Sequence, residues 1–286
     1  MYSHRHMTAV AASITRPHLD AHDTQRTSLW SGDVQLLASP PRNAVSNMAL
    51  DEAMFETAAD GGGTFVRLYS WATPSVSFGR NQRAEGVYGA ERCAAAGVPA
   101  VRRLTGGRAL LHSREVTYSV AAPVSLAPTL RGGYEAINDV LLAALRSLGV
   151  PAMRATARER LASPGLAPCF ETPTDGELVI GDRKIVGSAQ HRDARAFLQH
   201  GSILLDDDQA LLHAISLVPL PPVPAPATLH GVDATISADR VTAAITEALR
   251  GVVTGSLVES PDSVIDRQRV RAAATRYRDP SWTWRR

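Results

Sequence analysis

Residues 167–205 read APCFETPTDGELVIGDRKIVGSAQHRDARAFLQHGSILL. Their centre decides the fold. Two apolar runs, ELVI and RKIVGSAQ, flank a Gly181-Asp182 pair, which is the signal for a hairpin with a two-residue turn. FLQHGSILL reads as a further strand. The same stretch carries Cys169, one of two cysteines in the chain, and Lys184, its only lysine among 30 Lys plus Arg residues. Arginine stays charged and forks, whereas lysine is a compact cation that titrates and points at one atom. A lone lysine in an arginine-rich chain therefore invites a chemical reading. A stray lysine on a solvated face is the plainer alternative.

Working outward, the chain has 286 residues with 44% hydrophobic content, enough for one large domain with a full core. A formal net charge of +2 implies no strong field toward nucleic acid or a membrane surface. No apolar run is long enough for a transmembrane helix, and no charged start followed by an apolar stretch marks a secretory signal. Two cysteines make no disulfide framework, so a reducing cytoplasm is the expected location. Residues 1–28 are polar and irregular and are expected to be a disordered leader. The catalytic domain is expected over 29–286, with a helical C-terminal segment from about 237.

Along that domain, Trp30 to Leu37 is the first expected strand. A helix follows from an Asn43 N-cap, with Asn47, Leu50, Met54 and Ala58 at helical spacing and Gly61–Gly63 ending it. TFVRLYSW and SVSFGR are strands joined by a turn at Thr73-Pro74. A helix spans Val87 to Ala96, and Cys93 within it reads as a small core residue. VPAVRRL is a strand, and TGGRALLH with REVTYSV look like paired strands around a tight loop. GYEAINDVLLAALRSLG is an amphipathic helix with Ile137, Val140, Leu141, Leu145 and Leu148 on one face. Asp206–Asp208 opens a helix to about Leu217. VPLPPVPAPAT is a semi-rigid, exposed excursion. Ser237 and Ser260-Pro261 open the last two helices. Hairpin-rich strands with segregated helices indicate an α+β fold.

Cys169 sits in PCFETP, a loop-like setting. A free thiol has a pKa of about 8.5, and a nearby ammonium lowers it and creates a nucleophile suited to acyl transfer. Lys184, at the start of a hairpin strand, is a candidate for that ammonium. A small buried cysteine remains the alternative. Gly106-Gly107 in RRLTGGRALLH permit close backbone approach to a carbonyl, a phosphate or a phosphopantetheine arm. That segment lacks the spacing of a P-loop or a dinucleotide fingerprint. His112 and His200 are candidate substrate contacts, although a lone histidine is more often structural. No Cys/His spacing suits zinc, and no G-x-S-x-G elbow supports a serine hydrolase.

Taken together, NMALDEAM, RRLTGGRALLH, REVTYSV, CFETPTDGELVIGDRKIVGSAQ and QHGSILL resemble the biotin/lipoate-protein ligase catalytic superfamily. They are most similar to its cysteine-type octanoyltransferases. The resemblance spans about residues 30–217. It implies an α+β fold whose mixed, largely antiparallel sheet is flanked by helices. It implies transfer of an octanoyl group from acyl carrier protein to a lysine of a lipoyl domain or glycine-cleavage H protein, with neither ATP nor another cofactor. Cys169 matches the acyl-thioester nucleophile and Lys184 the lysine that lowers the thiol pKa. Arg103, Thr105, Gly106, Gly107, Arg108 and His112 match an acyl-binding loop. Gly187, Ser188 and Ala189, with His200 and Gly201, match the opposite wall of the tunnel. Amides near Gly106 or Gly187 are expected to hold the oxyanion.

The same superfamily includes ATP-dependent lipoate-protein ligases. These carry a third glycine where this chain has Arg108, and His-Asp where it has His112-Ser113. An amidotransferase acting between lipoyl-domain proteins, and a non-catalytic carrier-binding relative, are the other readings.

Overall fold

A computed structural model describes residues 28–156, 176–222 and 224–285. Residues 1–27 of the expected leader and Cys169 lie outside these described residues. The expected loop over 155–168 falls outside them too, apart from its first two residues.

The chain begins with β1 (Val34–Ala38), α1 (Ala44–Ala59), β2 (Thr64–Tyr69) and β3 (Ser75–Phe78). Then follow α2 (Ala90–Ala95), β4 (Ala100–Arg102), β5 (Leu110–His112), β6 (Glu115–Pro123) and α3 (Leu130–Ser147). Strands β7 (Met153–Arg154), β8 (Leu178–Ile180), β9 (Arg183–Lys184), β10 (Val186–Arg192) and β11 (Ala196–Leu204) come next. The chain closes with α4 (Leu211–Ile215), α5 (Ala238–Arg250), β12 (Leu257–Ser260), α6 (Arg267–Arg278) and α7 (Pro280–Thr283).

Six strands form the main sheet in the order β10-β11-β6-β2-β1-β12. Among its first four, each strand is antiparallel to its neighbour, and β1 runs parallel to both β2 and β12. The sheet is thus mixed and largely antiparallel. Strand alternation sends successive side chains to opposite faces. On β6, Val116, Tyr118 and Val120 join a core with Ile137, Val140, Leu141 and Leu145 of α3 and Val241 and Ile245 of α5. The other face packs on α1, where Leu50, Met54 and Phe55 meet Leu37, Phe65, Ala121 and Leu198. Helix α6 covers α1 in turn. Most of α1 is consequently buried, which explains why its apolar stripe is weak in the sequence.

Local signals hold where the chemistry is local. Asn43 caps α1 by accepting from the Ser46 amide, Ser237 caps α5 from Arg240, and Gly181 takes φ +63° at the β8–β9 turn. Pairing across the fold departs from expectation in several places. β5 does not pair with β6: it joins β3 and β4 in a separate three-stranded sheet, while β6 runs through the main one. β2 and β3 likewise belong to different sheets. RKIVGSAQ is not one strand, because the chain leaves the hairpin at Ile185 and enters the main sheet as β10. The helix expected from Ser260 starts at Arg267 with Asp266 as its cap, and Leu257–Ser260 is a strand paired with β1. α4 is shorter than expected, and the Pro-rich segment ends buried, with the Ala227 amide on the Lys184 carbonyl.

The last residues are tied back by Arg102, which is fully buried. Its guanidinium donates to the carbonyls of Gly79, Gln82, Trp282 and Arg285, and Trp282 Nε1 donates to Arg102 O. Burial pushes this guanidinium down to about 10. Arg102→Leu should free residues 280–285 and cost at least about 2 kcal/mol, since buried carbonyls lose a charged donor. Limited carboxypeptidase digestion and denaturant titration would read both effects.

Candidate functional site

Between the main sheet and the β4-β3-β5 sheet lies a narrow cavity with about 20 Å³ of accessible space, roughly the room one water molecule needs. Arg103, His112, Gly187, Ser188, Ala189, His200 and Gly201 line it, all of them expected from the sequence. Met48, Tyr69, Ser77, Leu110, Thr117 and Ser202 complete the wall.

Thr105, Gly106, Gly107 and Arg108 form the adjoining loop. Arg103 fixes it by donating to the carbonyls of Gly106 and Arg108, each at 2.8 Å. Gly107 adopts φ +89°, a conformation that side-chain-bearing residues rarely take. Its carbonyl packs so closely on Gly79 that a Cβ there would overlap it. The Gly106 amide donates to Gln190 O at 3.4 Å.

Polar groups at this face are satisfied mainly by one another. Asp51 of α1 accepts from Arg67 (2.9 Å), Tyr69 (2.9 Å), Ser119 (2.8 Å) and His200 Nδ1 (3.0 Å). His200 Nε2 lies 2.6 Å from the Thr105 hydroxyl. The network therefore assigns a neutral imidazole that donates to Asp51 and accepts from Thr105. A second chain runs through His112. Its Nδ1 is 2.7 Å from Glu115 Oε1, and its Nε2 is 2.7 Å from Ser77 Oγ, which accepts in turn from Arg103. Thr117 and Ser202 also donate to Glu115 Oε1, and Trp71 stacks on the His112 ring at 3.9 Å. With their hydrogen-bonding capacity largely spent internally, these residues present mostly carbon to the cavity. Such a lining suits hydrocarbon better than a charged ligand.

Lys184 stands apart from the cavity lining. It is buried on β9, with Nζ 2.7 Å from Glu177 Oε1. Cys93 is buried in α2, and burial pushes its thiol up to about 11. Sequence reading passed over Asp51, Arg67, Ser77, Glu115 and Glu177. For Asp51 a signal was available: it follows Asn47 by one helical turn inside NMALDEAM. For Ser77 and Glu115 there was none, because their strands meet only in the folded chain.

These elements place the chain among known proteins. The model of the lipoyl protein ligase A/B catalytic domain matches residues 43–250, and the chain belongs to that family. Within it, the chain is similar to octanoyltransferase LipM of Kyrpidia tusciae, with 36% identity over 271 residues, 88% of this chain and 98% of that protein. It is also 42% identical over 182 residues to octanoyltransferase LipM of Geobacillus kaustophilus, covering 60% of this chain and 66% of that protein. Among solved structures, the bipartite lipoate protein ligase from Thermoplasma acidophilum superposes with a TM-score of 0.67 at 22% identity, over 89% of this chain and 96% of that one. Plasmodium falciparum LipL1 in complex with lipoate does so with a TM-score of 0.68 at 16% identity, over 89% and 74%. At those identities the likeness establishes the fold alone. No described helix is long and apolar enough to cross a membrane.

Two outcomes are expected. Burial pushes His200 below the ordinary imidazole value, and the Asp51 bond only partly offsets this. Burial would raise the Asp51 carboxyl, but the His200 bond and the Arg67 charge outweigh it and hold the group below its ordinary value. Both groups therefore bind protons more weakly folded than unfolded, and acid favours the unfolded chain. The His200 contribution is complete above about pH 6.5 and is lost as pH falls below it, with Asp51 following below about pH 4. Melting temperature should fall on acidification from neutral pH, and His200→Asn should flatten that fall in its upper part. Separately, iodoacetamide applied to the folded protein near neutral pH should leave Cys93 unmodified in peptide mass spectra, because its thiolate is scarce.

Proposed function

We propose that this chain transfers an octanoyl group from octanoyl-acyl carrier protein to a lysine of a lipoyl domain or glycine-cleavage H protein, through a thioester on Cys169. The observation that carries this reading is the match to an octanoyltransferase along nearly its whole length. A narrow, carbon-lined cavity and a buried lysine on the strand after the Cys169 segment support it.

In the first half-reaction, the Cys169 thiolate attacks the donor carbonyl. The carrier thiolate departs and takes a proton from the Lys184 ammonium. In the second, the acceptor arrives as an ammonium and must lose two protons to become an amide. Neutral Lys184 takes one back, Cys169 leaves as thiolate, and the other proton goes to solvent. Exchange of one thioester for another is nearly balanced, and amide formation drives the second step, so no nucleotide is consumed.

The cavity holds the acyl chain while donor and acceptor exchange. Gly201 sits at its wall because a Cβ there would press on the Gly187 carbonyl and lie 2.7 Å from the Tyr118 ring. Incubation with octanoyl-carrier and an apo lipoyl domain should give octanoylated domain without ATP. Cys169→Ala should abolish both the acyl-enzyme mass adduct and transfer. Product that requires free octanoate and ATP would instead establish a ligase, and a normal adduct on Cys169→Ala would overturn the nucleophile.

A further inference from the structure

Lys184 owes its setting to a hairpin. Turning at Gly181-Asp182, β8 and β9 pair Val179 with Lys184 and Ile180 with Arg183. That register brings Glu177, the residue before β8, alongside the lysine. Glu177 Oε1 lies 2.7 Å from Lys184 Nζ, and the two residues are only 8% and 4% exposed. The backbone is fixed on several sides: Ile185 N donates to Leu178 O, Ala227 N to Lys184 O, and Ala155 N to Glu177 O.

Other charged groups of this region have their own positions. Asp182 and Arg183 are exposed at the turn. Arg154 of β7, across from Leu178, is held by Asp139 of α3 at 2.7 Å. Glu135 of α3 pairs with Arg131.

An ammonium taken out of water costs several kcal/mol unless a counter-charge meets it, and without one it sheds its proton. The chain places a carboxylate there. One of the three N–H donors of Lys184 is thereby committed, which fixes the azimuth of the ammonium about its flexible stem.

We propose that Glu177 is a positioning residue for Lys184: it meets the buried ammonium with a counter-charge and keeps it aimed. The inference rests on the transferase reading above and adds a residue to it. In the first half-reaction Glu177 holds the ammonium that favours the thiolate. Once the carrier has left with the proton, the same carboxylate favours its return from the incoming amine. Glu177 itself forms and breaks no covalent bond.

Because Lys184 is the only lysine in the chain, protein labelled with ¹⁵N at lysine Nζ gives a single side-chain signal. That signal reports the charge of Lys184 without any assay of activity. In Glu177→Gln, that signal should move to a different chemical shift, because the carboxylate that meets the ammonium is gone. The kcat of ATP-free transfer should fall roughly 10- to 100-fold with little change in KM, as when a partner orienting a reactive group is removed. The acidic limb of the kcat/KM profile should move up by about one unit, since a thiolate deprived of its cation is harder to form. Glu177→Asp should retain the signal and recover most of the rate; it also serves if the Gln variant does not fold.

A folded Glu177→Gln whose lysine signal, kcat and acidic limb all match the unmodified chain overturns the inference. So does an acidic limb that moves down. An unmodified chain that makes no product overturns the transfer reading instead, and the lysine signal still tests whether Glu177 holds the charge.

Discussion

A single buried carboxylate organises the functional face of this protein. Asp51 projects from α1 into the main sheet and accepts from Arg67, Tyr69, Ser119 and His200. A charge placed so far from water is tolerated only when it is fully hydrogen-bonded. Each donor comes from a different strand or a different point along one: β2 supplies Arg67 and Tyr69, β6 supplies Ser119, and β11 supplies His200. The requirement to satisfy Asp51 therefore fixes how α1 sits on the sheet. It also fixes the His200 tautomer and, through Thr105, the loop that closes one side of the cavity.

A second chain of polar groups repeats the logic between the main sheet and the neighbouring one. Glu115 collects His112, Thr117 and Ser202, and His112 passes the contact through Ser77 to Arg103. The two arginines of RRL divide their labour. Arg103 ties down the glycine loop, and Arg102 ties down the C-terminus. In both, carbonyl oxygens are arranged around a planar fork. The cavity wall contains many polar residues, yet their polarity is spent inward. The remaining surface accepts hydrocarbon without leaving a buried donor unpaired.

Lys184 and Glu177 belong to a different part of the molecule, the hairpin beside the main sheet. Under the proposed mechanism this separation gives the site two kinds of parts. One is a preorganised cavity whose groups are locked together. The other is a charged pair held at the edge by a tight turn. Cys93 is a thiol in an apolar helix interface, with its acidity suppressed by burial. Thiol reactivity is set by surroundings rather than by residue type.

The sequence by itself determined the local items and the class. Gly181-Asp182 required a hairpin, Asn43 and Ser237 required helix starts, and Ile137 through Leu145 required a buried helix face. A set of motifs in order also marked the family, now shown by the match across residues 43–250. Tertiary structure alone decided which strands pair. TGGRALLH and REVTYSV, adjacent in sequence, part into different sheets, while Leu257–Ser260 travels across the chain to join β1. Alternation of side chains is visible in a sequence, but strand neighbours are chosen by which faces must be buried together. For the same reason Ser77, Glu115 and Glu177 became legible only in the fold. Each matters through a partner that the sequence holds at a distance or on the far side of a turn.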